Sequence, residues 1–102
     1  MKSGVLVKIH ESADKSILAV ADKELVGKTF EEVDMCLNVS ERFYKGEELS
    51  EEEVIKLMKN ATNMNIIGKK AIAIGIKAGI ITEDNVIKVK GIPHAIIFNY
   101  GN

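Results

Sequence analysis

Two hydrophobic rhythms divide this chain into blocks, and the order of the blocks limits what it can fold into. Val5, Val7 and Ile9 alternate with Leu6, Lys8 and His10, the period of two that sends successive side chains to opposite faces of a strand. A first strand is therefore expected over residues 4–10. After the polar stretch 11–16, the apolar run Ile17 to Ala21 reads as its hairpin partner. Asp22 to Glu32 carries Gly27 and no sustained stripe, so it reads as a connection with one helical turn. Val33, Met35, Leu37 and Val39 then alternate with Asp34, Cys36 and Asn38, which predicts a third strand, half buried.

The rhythm changes after Ser50. Val54, Leu57, Met58 and Ala61 recur at i, i+3, i+4, i+7, and Ser50 with Glu53 forms a capping-box pair ahead of them. Three glutamates in the first turn suit the positive end of a helix dipole, so a helix is predicted over 51–62. Residues 63–67 read as a link to a second helix starting near Gly68. Between 71 and 78 only Lys77 is charged, which predicts a largely buried helix. Gly75 would admit a close neighbour, and Gly79 followed by Ile80 looks like a left-handed stop. A polar turn at 82–85, a strand at 86–90, a four-residue loop from Gly91 to His94 and a strand at 95–100 complete the pattern.

Strands and helices grouped this way predict an α+β domain: a mostly antiparallel five-stranded sheet in β-β-β-α-α-β-β order, with two helices packed on one face. Leu, Ile, Val and Phe make up 32 of 102 residues, well above the roughly 20 per cent below which chains stay disordered, so residues 1–102 are expected to form one domain. One cysteine excludes an intrachain disulfide. The apolar runs near 71–76 and 95–98 are far shorter than the roughly 20 residues of a membrane span. Lys8 and His10 interrupt any secretory signal, so a cytoplasmic setting and no membrane partner are expected. A net charge of −1 supplies no overall field for nucleic acid. That charge is unevenly spread: residues 1–53 carry 7 basic and 13 acidic side chains, while 54–102 carry 7 basic and 2 acidic.

Motifs with chemical meaning are sparse. Gly27-Lys28-Thr29 evokes a phosphate-binding loop, but the first glycine of that motif would fall on Asp22, whose carboxylate repels polyphosphate. His10, His94 and Cys36 offer no local pair with metal-ligand spacing, so no metal or other cofactor is expected. The segment Ser40 to Gly46 places Arg42, Phe43 and Tyr44 beyond a strand end, where loops often hold function; its structural reading is a capped turn with Phe43 plugging the core. Asn65 either satisfies backbone groups between the helices or faces a ligand near a helix start. Lys69 and Lys70 are candidate phosphate contacts, although solvated lysines are commoner. His94 in a turn is a candidate base, RNA contact or turn cap.

Taken together, these segments resemble the small archaeal proteins grouped as domain of unknown function 424. The likeness rests on Leu18-Ala19-Val20 with Asp22, on Glu24 to Phe30, on Leu37 to Glu41 with Phe43, Tyr44 and Gly46, on Ala61-Thr62 with Asn65 and Gly68, and on Asn85-Val86-Ile87 followed by Gly91-Ile92-Pro93-His94-Ala95. Ala21, Val33 and Ile96 depart from the family pattern, which often has a cysteine, a glycine and a polar amide there. The resemblance implies an archaeal source and a cytoplasmic setting, brings no activity and no catalytic residue, and makes Tyr44, Asn65 and His94 the places to look for a shared surface.

Three functional expectations follow. The leading one is a non-enzymatic interaction module, docking on RNA, a ribonucleoprotein or a protein partner near Tyr44, Asn65 and His94, with Lys69 and Lys70 toward phosphates. The association with RNA or translation is one of family context. The second is a small-molecule enzyme using His94 as base with Tyr44 or Ser40. The third is a homodimer formed through the outer face of the last hairpin, exposing Ile97 or Tyr100 in the isolated subunit.

Overall fold

The computed structural model describes residues 2–98 as eight strands and three α-helices. In chain order these are β1 (Val5–Glu11), β2 (Ser16–Asp22), β3 (Lys28–Glu32), β4 (Met35–Val39), α1 (Glu41–Tyr44), β5 (Glu47–Glu48), α2 (Glu51–Asn60), β6 (Asn63–Ile67), α3 (Lys69–Lys77), β7 (Ile87–Val89) and β8 (Ile92–Phe98). Short 3-10 turns occupy Lys23–Leu25 and Glu83–Asn85. The α+β class and the mostly antiparallel pairing stand as expected, but strand number and order do not. A six-stranded sheet runs β5-β1-β2-β6-β8-β7, and β3 and β4 form a separate two-stranded hairpin.

Three unexpected strands account for the difference, β6, β3 and the two-residue β5 (Glu47–Glu48) on the edge beside β1, and the turn of the last hairpin also differs. Residues 63–67, expected to link two helices, form a strand at the centre of the sheet, parallel to β2 and antiparallel to β8. Asn63 and Asn65 dilute its apolar signal, yet Met64, Ile66 and Ile67 are all buried. Residues 28–32, expected to lie in a connection, pair with β4, so Val33 and Asp34 are a turn and not a strand start. The expected loop at Gly91 to His94 is a two-residue turn. Lys90 (φ 53°) and Gly91 (φ 76°) both adopt positive φ, the signature of a type I′ hairpin, and Val89 pairs with Ile92. Pro93 is tolerated inside β8 because its backbone faces the end of β6, where its carbonyl accepts from the Gly68 N–H at 2.9 Å and its missing N–H falls beyond the last rung.

A lysine at the first turn position is strained, since L-residues other than asparagine and aspartate resist the left-handed region. Lys90→Asn is expected to raise stability by about 0.5–1 kcal/mol, read as a higher urea midpoint at unchanged m-value.

The sheet is covered on both faces. On one, Val5, Val7, Leu18, Val20, Met64, Ile66 and Ala95 pack against Val54 and Met58 of α2 and Ala71, Ile72 and Ile74 of α3. This is the helix-covered face expected from the sequence, and the Ser50–Glu53 capping box forms at the head of α2. Gly75 packs against Ile81 as its lack of a side chain allowed, and Gly79 (φ 76°) ends α3 with Ile80 N–H donating to the Gly75 carbonyl. α3 itself is amphipathic: Ala73 and Ile76 are exposed, so the expectation of a largely buried helix is corrected to one buried stripe. On the opposite face the small side chains Ala19 and Ala21, with Ile67 and Val89, lie under Leu37, Val39 and Tyr44 of the β3–β4 hairpin and α1. Sequence periodicity did not foresee this second cover.

The strands of the two chain halves do not interleave. β5, β1 and β2 come from the acidic half and β6, β8 and β7 from the basic half, meeting at the β2–β6 ladder. The β3–β4 hairpin crosses this boundary, however. The Lys90 N–H donates to a Glu32 carboxylate oxygen, tying the hairpin to the β7–β8 turn.

Candidate functional site

The residues singled out from the sequence divide between the two faces. Asn65 on β6 pairs with Ala19 and Ile96, and His94 on β8 pairs with Ile67 and Ile87. The alternation of strand side chains places both on the hairpin side, as diagonal neighbours. Asn65 therefore lies in a central strand, not between helices. Tyr44 is on that side too, but its ring is only 5 % exposed within the core. It packs edge-on against Phe43 at 4.9 Å, and burial pushes its phenol up to about 12. Tyr44 supports this side from beneath and presents little surface to a partner.

Lys69 and Lys70 open α3 on the opposite side of the sheet. Lys70 pairs with Glu24 at 3.5 Å, and Lys69 lines a cleft beside α3. The five residues therefore do not form one surface.

The other sequence landmarks prove structural. Ser40 caps α1 by accepting from the Phe43 N–H at 3.2 Å. His10 stacks on Phe43 with ring centroids 4.2 Å apart, and its Nε2 lies 2.8 Å from the Phe43 carbonyl, an acceptor, so Nε2 carries the proton. Among the described residues no three His, Cys, Asp or Glu side chains are grouped to hold a metal ion.

A groove of about 360 Å³ opens between the β3–β4 hairpin and the sheet edge. Met35 and Cys36 of β4 form one wall, Ile87 of β7 and Ile96 of β8 the other, and His94 sits between them. Neither Ser40 nor Tyr44 lines it, so the assisted-base arrangement expected from the sequence is not assembled here. The Cys36 thiol is exposed and donates to a Glu31 carboxylate oxygen at 3.9 Å.

Burial alone lowers the His94 imidazole below its ordinary value of 6.5, because a half-buried cation loses hydration. In the unfolded chain His94 binds its proton first as pH falls, so acidification through about pH 6.5 draws the equilibrium toward unfolding until the folded protein is protonated too. Urea midpoints measured from pH 7.5 to 5.5 are expected to decline, and His94→Gln is expected to flatten that decline.

One residue escaped functional notice in the sequence. Asp22, only 3 % exposed, accepts from the Ala71 N–H at 2.8 Å and the Lys70 N–H at 3.1 Å. It caps α3 from 48 residues away, because the local N-cap, Gly68, has no side chain to do so. Burial raises its carboxyl above the ordinary value of 3.8, and the two N–H groups oppose that rise. An acid closing an apolar strand is the available signal, although the sequence shows no partner for it: the N–H groups it receives lie 48 and 49 residues away.

With this geometry in place, the chain can be compared with known proteins. A family model described as "Protein of unknown function (DUF424)" matches residues 10–100. The chain is also similar to a solved structure described as an uncharacterized conserved protein from Methanopyrus kandleri, at 27 % identity and a TM-score of 0.80, covering 96 % of this chain and 95 % of that one. The search of curated proteins found no match.

Proposed function

The chain belongs to the DUF424 family of proteins of unknown function, and we propose that it is a non-enzymatic docking module whose contact surface is the groove between the β3–β4 hairpin and the β7–β8 edge. One observation carries this reading. Large apolar side chains left exposed line it: Met35 on the hairpin, and Ile87 and Ile96 on the facing strands. Exposed apolar patches rimmed by polar groups mark interaction surfaces.

The chemistry of the rim favours a protein partner over RNA. Glu31, Glu32 and Asp34 flank the groove at the hairpin tip and outnumber Lys90 beside them, an acidic excess that repels phosphates and attracts cations, so the occupant is an apolar-anchored segment with basic flanks. The lysines expected to contact RNA, Lys69 and Lys70, lie across the sheet. A ribonucleoprotein in the cytoplasm is still served if its protein component docks here. The homodimer expectation moves by one residue: Ile97 packs toward the helix-side core, Tyr100 lies outside the described residues, and Ile96 and Phe98 are the exposed pair.

Tagged protein purified from a native extract, beside Met35→Glu and Ile96→Glu variants of unchanged circular dichroism, tests the reading. A defined protein partner, lost from both variants, is the expected result. Retention of that partner by both variants would sink it. So would co-purifying RNA whose affinity falls steeply with salt and disappears in Lys69→Glu/Lys70→Glu, or self-association that Ile96→Glu abolishes.

A further inference from the structure

Across the sheet from that groove, α3, the Glu83–Asn85 turn and the β7–β8 hairpin enclose a cleft of about 520 Å³, within the range that holds small molecules. Its apolar part comes from three elements. Ile72, Ala73 and Ile76 line one side of α3, and Val86 and Pro93 face them. Ile76 is 39 % exposed there, although its own helix has a buried stripe available to apolar residues. The polar part is equally specific: Lys69 from α3 and Lys88 from β7 stand on different walls, with Glu83 from the turn.

The state of these lysines separates them from the others nearby. Lys70 is paired with Glu24 and Lys77 with Glu51, whereas neither Lys69 nor Lys88 forms an ion pair among the described residues. Two ammonium groups against one carboxylate leave the cleft with an excess positive charge above an apolar surface. A neutral hydrophobic molecule would leave that charge unmatched. A bare inorganic anion would leave Ile72, Ile76 and Pro93 wetted. Only a molecule with both characters satisfies both parts.

We propose that this cleft binds a small organic anion: an aromatic or branched aliphatic body carrying one acidic group, with the acid held by Lys69 and Lys88 and the body laid on Ile72, Ile76 and Pro93. This site is independent of the docking groove, being on the other face and built from different residues.

The test uses two probes that share an apolar body, 8-anilinonaphthalene-1-sulfonate and uncharged N-phenyl-1-naphthylamine, titrated into the full chain by fluorescence and by backbone amide chemical shifts. The sulfonate is expected to perturb amides in 69–76 and 86–93. It should bind at least about tenfold more tightly than the neutral probe and weaken by about tenfold or more in Lys69→Glu/Lys88→Glu. Lys69→Gln/Lys88→Gln, which adds no repulsion, should give a smaller loss in the same direction, and circular dichroism establishes that each variant is folded. Equal affinity for the two probes, indifference to both double variants, or shifts confined to the Met35–His94–Ile96 groove would each overturn the proposal.

Discussion

A single methyl group added at Gly68 is expected to destabilise the protein by about 3–5 kcal/mol, among the largest losses open to any point substitution. Two costs combine. Gly68 has φ +107°, a region L side chains avoid. A Cβ there would also stand 2.3 Å from the Asp22 Cγ and 2.5 Å from its Oδ1, displacing the carboxylate that receives the Lys70 and Ala71 N–H groups. A buried donor left unmatched costs about 1–3 kcal/mol; the Ala71 N–H is buried and the Lys70 N–H only part-buried, where water relieves some of the loss, so Asp22→Ala alone is expected to cost about 2–4 kcal/mol. The two effects share one contact and should therefore fall short of additivity. Urea unfolding of Gly68→Ala, Asp22→Ala and the double variant measures this. Additive losses would show that the glycine and the carboxylate act separately, and a loss below about 1 kcal/mol for Gly68→Ala would show that the helix start can shift aside.

Gly46→Ala is expected to cost about 2–4 kcal/mol through a different mechanism. Its Cβ would lie 2.0 Å from the Val7 carbonyl oxygen and 2.7 Å from the Val7 carbonyl carbon. Both are backbone atoms of β1, which is held on its other side by the full ladder to β2, so β5 must yield. The Leu6–Glu48 and Val7–Glu47 pairs are expected to open, and amide exchange at these positions should quicken more than elsewhere in the sheet. Gly79→Ala provides the comparison. A Cβ at Gly79 meets nothing within 4 Å, so its positive φ of 76° is the only penalty, about 1 kcal/mol. If Gly46→Ala proves no worse than Gly79→Ala, the close approach of β5 to β1 is not a constraint.

Which parts of this fold were legible in the sequence follows from the range of the interactions. Local signals served well: the β1 strand, the Ser50–Glu53 capping box and the Gly79 stop all depend on residues within a few positions of one another, and all are present, although Ile9, expected on the core face with Val5 and Val7, is 50 % exposed. The second strand was also found, though Ser16 and Asp22 extend it at both ends. β6 went unrecognised although Asn63-Met64-Asn65-Ile66 alternates, because two asparagines, poor strand formers, in a run of only five residues read as a link. The hairpin turn at Lys90 was missed because lysine is a poor residue for positive φ, which left Pro93 as the stronger signal.

The candidate site was less legible still. Asn65 and His94 share one side of the sheet through the unforeseen β6, while the expected roles of the two aromatics are exchanged: Tyr44, expected to half cover the core or face a partner, is the buried one, and Phe43, expected to plug the core, is only partly buried. Lys69 and Lys70 adjoin Gly68 in sequence, but the chain turns there from the sheet into a helix on the other face. The groove itself needs β4 and β8, whose facing residues Met35 and Ile96 are 61 positions apart, a separation that periodicity does not span.

The β2–β6 ladder is a seam. Four pairs, from Leu18–Met64 to Ala21–Ile67, are all that stitch one flank of the large sheet to the other by backbone bonding, and α3 lies across β2, β6 and β8 like a splint. The Asp22 carboxylate fastens that splint at the very end of the seam. Loosening the fastening should therefore let the flanks part together, with the β2 and β6 amides that face each other and the first turn of α3 losing protection as one cooperative unit while the β1–β2 and β7–β8 hairpins hold.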